Sequence, residues 1–137
     1  SPEQRRTLLR KFHGILVPGG AVLLDAYSLA GFAGREETAT CEMNLIDGFW
    51  SPHSYYGFLN TFKYDQEKVV LDKFTIVEEA RTRTIYNWLQ YLSPEGLEKE
   101  LIGCGLEVEE RYADVAGSTY DPEQTEFAVV ARKRQDS

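Results

Sequence analysis

The residues able to do chemistry fall in three places. Tyr27-Ser28 closes the apolar run Ala21–Leu24. Trp50, His53, Tyr55 and Tyr56 share one short segment. Tyr86 and Trp88 lie two apart, which puts them on one side of a strand. A histidine titrates near neutral pH, so His53 is the candidate general base for deprotonating a hydroxyl. The competing reading of His53 is a solvated loop side chain. Aromatic rings wall apolar pockets or cradle a positive charge, which makes Tyr27, Ser28, Trp50, Tyr55, Tyr56, Tyr86 and Trp88 the candidate substrate contacts. For the large rings the competing reading is core. His13 sits in a helical stretch beside Gly14 and reads as structural. Cys41 and Cys104 are far apart without metal-ligand spacing, so no metal site is expected.

The bulk numbers narrow the class. At 137 residues, with 42% hydrophobic and 27% charged residues, the chain has the size and composition of one soluble domain. Its net charge of −7 argues against nucleic acid, which is bound through clustered Lys and Arg. The run Arg132-Lys133-Arg134 reads as a solvated tail. Two unpaired thiols fit a reducing cytoplasm. No apolar run approaches a membrane span, and no leader-like segment opens the chain. A small molecule is therefore the expected partner.

The candidate residues need elements to position them. Ser1-Pro2-Glu3 and Ser93-Pro94-Glu95 each combine a capping hydroxyl, proline at the first helical position and an acid in the first turn. Asp121-Pro122-Glu123 has the same signature but precedes a strand so closely that it reads as a single turn. In the first helix, Leu8, Phe12 and Ile15 recur at helical spacing and predict a buried stripe. Pro18-Gly19-Gly20 ends that helix and turns the chain. Ala21–Leu24 is unbroken apolar sequence, which predicts a strand covered on both faces. Residues 29–40 read as a mobile connection, and residues 38–46 as a strand. Residues 56–64, 68–78 and 82–92 read as strands joined by tight antiparallel turns. Phe58, Phe62 and Tyr64 then share a face, as do Tyr86 and Trp88. The second helix buries Leu97, Leu101 and Cys104 and stops at Gly105. Strands over 106–113 and 126–132 complete the chain, the last apolar enough to be central.

This order of motifs resembles the carboxyl-terminal half of class I S-adenosylmethionine-dependent methyltransferases. The likeness lies in Leu8, Leu9, Phe12, Leu16, Val17, Pro18, Gly19 and Gly20 before a buried strand. It continues in Ser93, Glu95 and Leu97, then Gly105, Leu106 and Val108, and ends in Ala131-Arg132-Lys133. Leu106 stands where the family usually has an aromatic residue. The resemblance implies an α/β fold. Residues 21–25, 126–132 and 106–113 would be the fifth, seventh and sixth strands of a Rossmann-like sheet, with the seventh antiparallel between the other two. Residues 1–28 and 93–137 would form this sheet-and-helix part, and residues 29–92 an inserted antiparallel hairpin sheet.

The resemblance also implies a transferase that uses S-adenosylmethionine on a small-molecule acceptor. The family's glycine-rich loop after a first strand and its acid after a second strand are absent. Gly31 to Gly34 is not such a loop, because no helix pattern follows it. No cofactor-binding residue is therefore assigned. The chain, which begins in a helix cap without a methionine, reads as a fragment that is inactive alone. A homodimer is expected. The alternative is a non-enzymatic α+β module for ligand binding or dimerisation, built as one curved antiparallel sheet with a helix across it. A last strand lying between the Ala21 and Leu106 strands would exclude that architecture.

Overall fold

The computed structural model describes residues 1–135; Asp136 and Ser137, the end of the region read above as 93–137, lie outside them. Two compact units form. One takes in Ser1–Gly31 and the chain from Leu92 onward, the other Phe32–Tyr91. All seven expected strands are present.

The first unit begins with α1 (Pro2–Ile15). The Ser1 hydroxyl accepts from the Gln4 amide and the Gln4 side chain reaches back, a complete capping box. Its buried face is not the expected one. Leu9, Phe12 and Leu16 pack into the core, while Leu8 is 48% and Ile15 79% exposed. Both sets satisfy helical spacing and share Phe12, so periodicity cannot choose between them. The roll of the helix is set by its partners: Arg5 on the Leu9 face makes a two-pronged ion pair with Glu100 of α3 (Pro94–Gly103), at 2.9 and 2.7 Å. α3 itself follows the sequence reading. Ser93 caps it, Leu97, Leu101 and Cys104 are buried, and Gly105 takes the left-handed conformation at φ +81°.

Three strands carry these helices: β1 (Ala21–Ser28), β6 (Leu106–Tyr112) and β7 (Glu126–Lys133). β7 lies between β1 and β6 and is antiparallel to both, with Leu24 opposite Val129 and Val108 opposite Ala131. That is the position expected of the last strand. The register slips between Val108 and Glu110, a bulge that leaves Glu109 in reach of Arg132 at 2.6 Å.

β1 departs from expectation in burial. Val22, Leu24 and Ala26 pack with Phe127, Val129 and Ala131 against α1 and α3, but Leu23 (49%) and Tyr27 (48%) are open. Both helices of the unit lie on the Val22 face, so neither covers the apolar residues of the other face. The basic run is also no solvated tail. Lys133 points to the helix face and its ammonium donates to the carbonyls of His13 and Leu16, closing the end of α1. Arg132 pairs with Glu109, and Arg134 with Glu107.

α2 (Leu29–Ala33) replaces the expected mobile connection after β1 with a helical turn. In the second unit, β2 (Thr38–Met43), β3 (Tyr55–Tyr64), β4 (Val69–Glu78) and β5 (Thr82–Leu92) make an antiparallel meander. One face carries Tyr55, Leu59, Phe74, Ile76 and Ile85. The loop over residues 44–54 folds back across this face. Leu45 lies so close to β3 that a Cβ on Gly57 would collide with its Cβ, which leaves no room for a side chain at position 57. Trp50 stacks on Phe74 with ring centroids 4.8 Å apart. The chain crosses three non-glycine positions with positive φ in this loop, Asn44, Ile46 and Asp47.

Candidate functional site

Within the first unit, the two candidates at the end of β1 part company. Tyr27 stays open to solvent. Ser28 is buried, and its hydroxyl is already committed: it donates to the Gln124 carbonyl and accepts from the Gly31 amide, while its own amide donates to the Thr125 carbonyl. Ser28 thus ties the end of β1 to the loop before β7. The sequence placed it at the right strand end but could not show that its hydrogen bonds are spent.

In the second unit the candidates divide between opposite faces of the meander. Tyr55 points inward, 2% exposed, with its hydroxyl donating to the Leu45 carbonyl and accepting from the Trp50 amide. Its role is to hold the loop down, which the core reading anticipates. Tyr56, Tyr86 and Trp88 point outward on the other face and are exposed, so the core reading fails for Tyr86 and Trp88. Tyr64 lies beside Trp88, ring centroids 5.9 Å apart.

His53 lies on the exposed rim of the loop, its amide donating to the Ser51 hydroxyl. It lines an open cleft of about 540 Å³ with Ser54, Glu78, Glu79, Ala80 and Arg81. Glu78, absent from the sequence-derived candidates, organises this place. Its carboxylate accepts from the Ser51 hydroxyl on one oxygen and from Arg81 Nε at 2.8 Å on the other, with Arg83 Nε 3.9 Å away. The Ser51 hydrogen bond, then the Arg81 bond, lower the Glu78 pKa from its ordinary value. Arg83 in turn donates to the Trp50 carbonyl. The arrangement keeps a carboxylate charged and fixed beside His53. A Glu-Glu-Ala-Arg turn between two strands was the available sequence signal, and it reads first as a hairpin turn. Among the described residues no group of three or more His, Cys, Asp or Glu is placed to hold a metal ion. No helix among them is long and apolar enough to cross a membrane.

The fold resembles part of the fold of known methyltransferases. The chain aligns over 97% of its length with 54% of the CcbJ methyltransferase from Streptomyces caelestis, with a TM-score of 0.71 at 18% sequence identity. It aligns over 98% of its length with 52% of an S-adenosylmethionine-dependent methyltransferase from Clostridium acetobutylicum ATCC 824, at TM-score 0.72 and 10% identity. The sugar N-methyltransferase KedS8 from Streptoalloteichus sp ATCC 53650 matches at TM-score 0.59 and 14% identity, over 98% of this chain and 50% of that one. The chain thus spans about half the length of these structures. No family model matches the sequence, and no curated protein does.

One candidate cradle for the methionine and ribose ends of S-adenosylmethionine, the glycine after β1, is filled by backbone. The glycine nearest the end of β1 is Gly31, inside the five-residue α2. A Cβ there would stand 2.7 Å from the Thr125 carbonyl oxygen, so its missing side chain serves backbone packing and not a ligand cradle.

Proposed function

We propose that this chain is the acceptor-side part of an S-adenosylmethionine-dependent methyltransferase acting on a small molecule. The observation that carries the reading is the extent of the likeness: nearly all of this chain, but only half of each methyltransferase, superposes. On this reading β1, β7 and β6 are the fifth, seventh and sixth strands of a Rossmann-like sheet. Residues 32–91 are an insertion that contributes acceptor contacts. The cofactor-binding groups belong to another part of the parent protein, and the fragment by itself is inactive.

In the first unit the side chain best placed to meet an acceptor is Tyr27, half-exposed at the end of β1; in the second unit, taken by itself, it is His53, which shares a cleft with the fixed carboxylate of Glu78. His53 would serve as base where the acceptor is a hydroxyl, or as a hydrogen-bond partner where it is an amine. Open α/β sheets bind ligands beyond the carboxyl ends of their strands, which favours Tyr27.

Calorimetry with S-adenosylmethionine tests the reading on the full-length protein and on this chain alone. Binding by the full-length protein and none by the chain is expected. No binding by the full-length protein overturns the assignment. Micromolar binding by the chain alone overturns the claim that the cofactor groups lie elsewhere.

A further inference from the structure

The inner face of the β2–β5 meander carries a polar row between two largely apolar ones. Register places Thr61, Asp72 and Asn87 side by side across β3, β4 and β5. The row on one side is Leu59, Phe74 and Ile85; the row on the other is Val70 and Leu89, ending at Lys63. Each of these neighbouring rows has its own cover. Trp50 of the loop over residues 44–54 stacks on Phe74, and Phe32 packs with Val70. The polar row lies between the two covers, and at its β5 end Asn87 is exposed.

The hydrogen bonds of this row are unevenly spent. Asp72 Oδ1 accepts from both Thr61 Oγ1 and Arg35 Nη2, each at 2.7 Å. Among the described residues no donor reaches Oδ2. That oxygen is reachable, because the Asp72 side chain is 11% exposed and none of its atoms is sealed in without a partner. Asn87 stands directly opposite, the two Cβ atoms about 5 Å apart. Yet its side-chain amide bonds neither Asp72 nor any other described residue. Asparagine is depleted in strands, and its neighbours on this face, Ile85 and Leu89, are half-buried. Neither strand propensity nor packing calls for an asparagine here. A free acceptor beside a group that both donates and accepts, flanked by apolar side chains, complements adjacent hydroxyls on a carbon ring. Arg35 balances the Asp72 charge, so an ammonium group gains no net attraction.

We propose that Asp72 Oδ2 and the Asn87 side-chain amide form a binding site for a vicinal diol, with Ile85 and Leu89 against its carbon skeleton. Oδ2 accepts from one hydroxyl, and the Asn87 amide bonds the adjacent one. Oδ1 keeps its structural bonds to Arg35 and Thr61, so the ligand meets a carboxylate already held in place. The site is separate from the His53 cleft, which none of these residues lines. That the diol is the methyl acceptor rests on the function proposed above; the site itself does not.

The test is an NMR titration of the isotope-labelled full-length protein, read at the Asn87 side-chain amide and the Ile85 methyl resonances, with and without S-adenosylmethionine. The probes are vicinal cis-cyclohexanediol, cyclohexanol and vicinal cis-aminocyclohexanol. A saturable shift with the diol is expected, and binding about tenfold weaker for cyclohexanol, which lacks one hydrogen-bonding group. Asn87→Leu should weaken diol binding about tenfold at the Ile85 resonance and leave the urea midpoint unchanged or higher. Asp72→Asn should weaken it at least as much; Asn87→Leu, at an exposed position, carries the test if that variant fails to fold. The absence of a saturable shift with the diol overturns the proposal. So does diol binding that Asn87→Leu leaves unchanged, and so does tighter binding of the amino alcohol than of the diol. Diol binding by a protein that does not bind S-adenosylmethionine supports the site and sinks the methyltransferase reading. Cofactor binding without a diol shift sinks the site alone.

Discussion

Arg35 and Asp72, far apart in sequence, meet at 2.7 Å, and the same Asp72 oxygen accepts from the Thr61 hydroxyl at 2.7 Å. Arg35 also donates to the Tyr91 hydroxyl. One carboxylate therefore ties the segment after α2 to β3 and β4. The Asp72 side chain is 11% exposed and that of Arg35 31%, so the pair is partly screened. Asp72→Ala strands a buried hydroxyl and a half-buried cation and should cost about 2 kcal/mol, whereas Arg35→Met should cost about 1 kcal/mol. Urea denaturation of both variants checks the order.

The roll of α1 is testable by a pair of truncations. Leu9 is 3% exposed, and Leu9→Ala should cost about 2–4 kcal/mol through the cavity left behind. Ile15→Ala, at an exposed site, should stay within about 0.5 kcal/mol of wild type. A larger loss for Ile15→Ala than for Leu9→Ala in thermal unfolding would mean that the helix presents the Leu8 and Ile15 face instead.

Two glycines should respond with opposite sign. Gly31→Ala drives a methyl group into the Thr125 carbonyl and should destabilise by about 1–3 kcal/mol. Gly14 of α1 has open space where a Cβ would go, so Gly14→Ala should stabilise by about 0.5–1 kcal/mol. Denaturation midpoints decide both signs.

Glu78 predicts a pH dependence. Its pKa is lowered in the folded chain, first by the Ser51 hydroxyl and then by Arg81. A lowered carboxylate contributes its stability above the unfolded value, and that contribution is lost as pH falls through the folded value. Carboxyl NMR titration should therefore place the Glu78 midpoint below that of an unpaired glutamate. Ser51→Ala should raise it and shrink the acid-side loss of stability. An unchanged midpoint in Ser51→Ala would show that the hydroxyl does not hold the charge.

Local chemistry was legible wherever one residue decides one conformation. Ser1, Pro2 and Gln4 start α1, Ser93 and Pro94 start α3, and Gly105 stops it, because caps, ring closure and positive φ act within a turn. The hairpin strands were legible from alternation and tight turns. The candidate site was less so. Glu78 reads as part of a turn until Ser51 and Arg81 close on it, and Ser28 reads as an available hydroxyl until Gln124 and Gly31 take both its bonds.

By itself, the sequence determined the elements, their order and the family they resemble, since propensity, capping and period are properties of a few neighbouring residues. Tertiary structure alone decided which side of each element is covered. Leu8 and Leu9 are the same residue, as are Leu23 and Leu24, yet one of each pair packs into the core and the other is open. Only the placement of α1 and α3 on one face of β1, β7 and β6 separates them, and that placement rests on long-range partners such as Arg5 with Glu100 and Lys133 with the end of α1. Likewise Tyr55 and Tyr56 are the same residue one position apart. The pleat of β3 sends Tyr55 into the core and Tyr56 to the open face, and the fold of the loop over residues 44–54 decides which of those faces is covered.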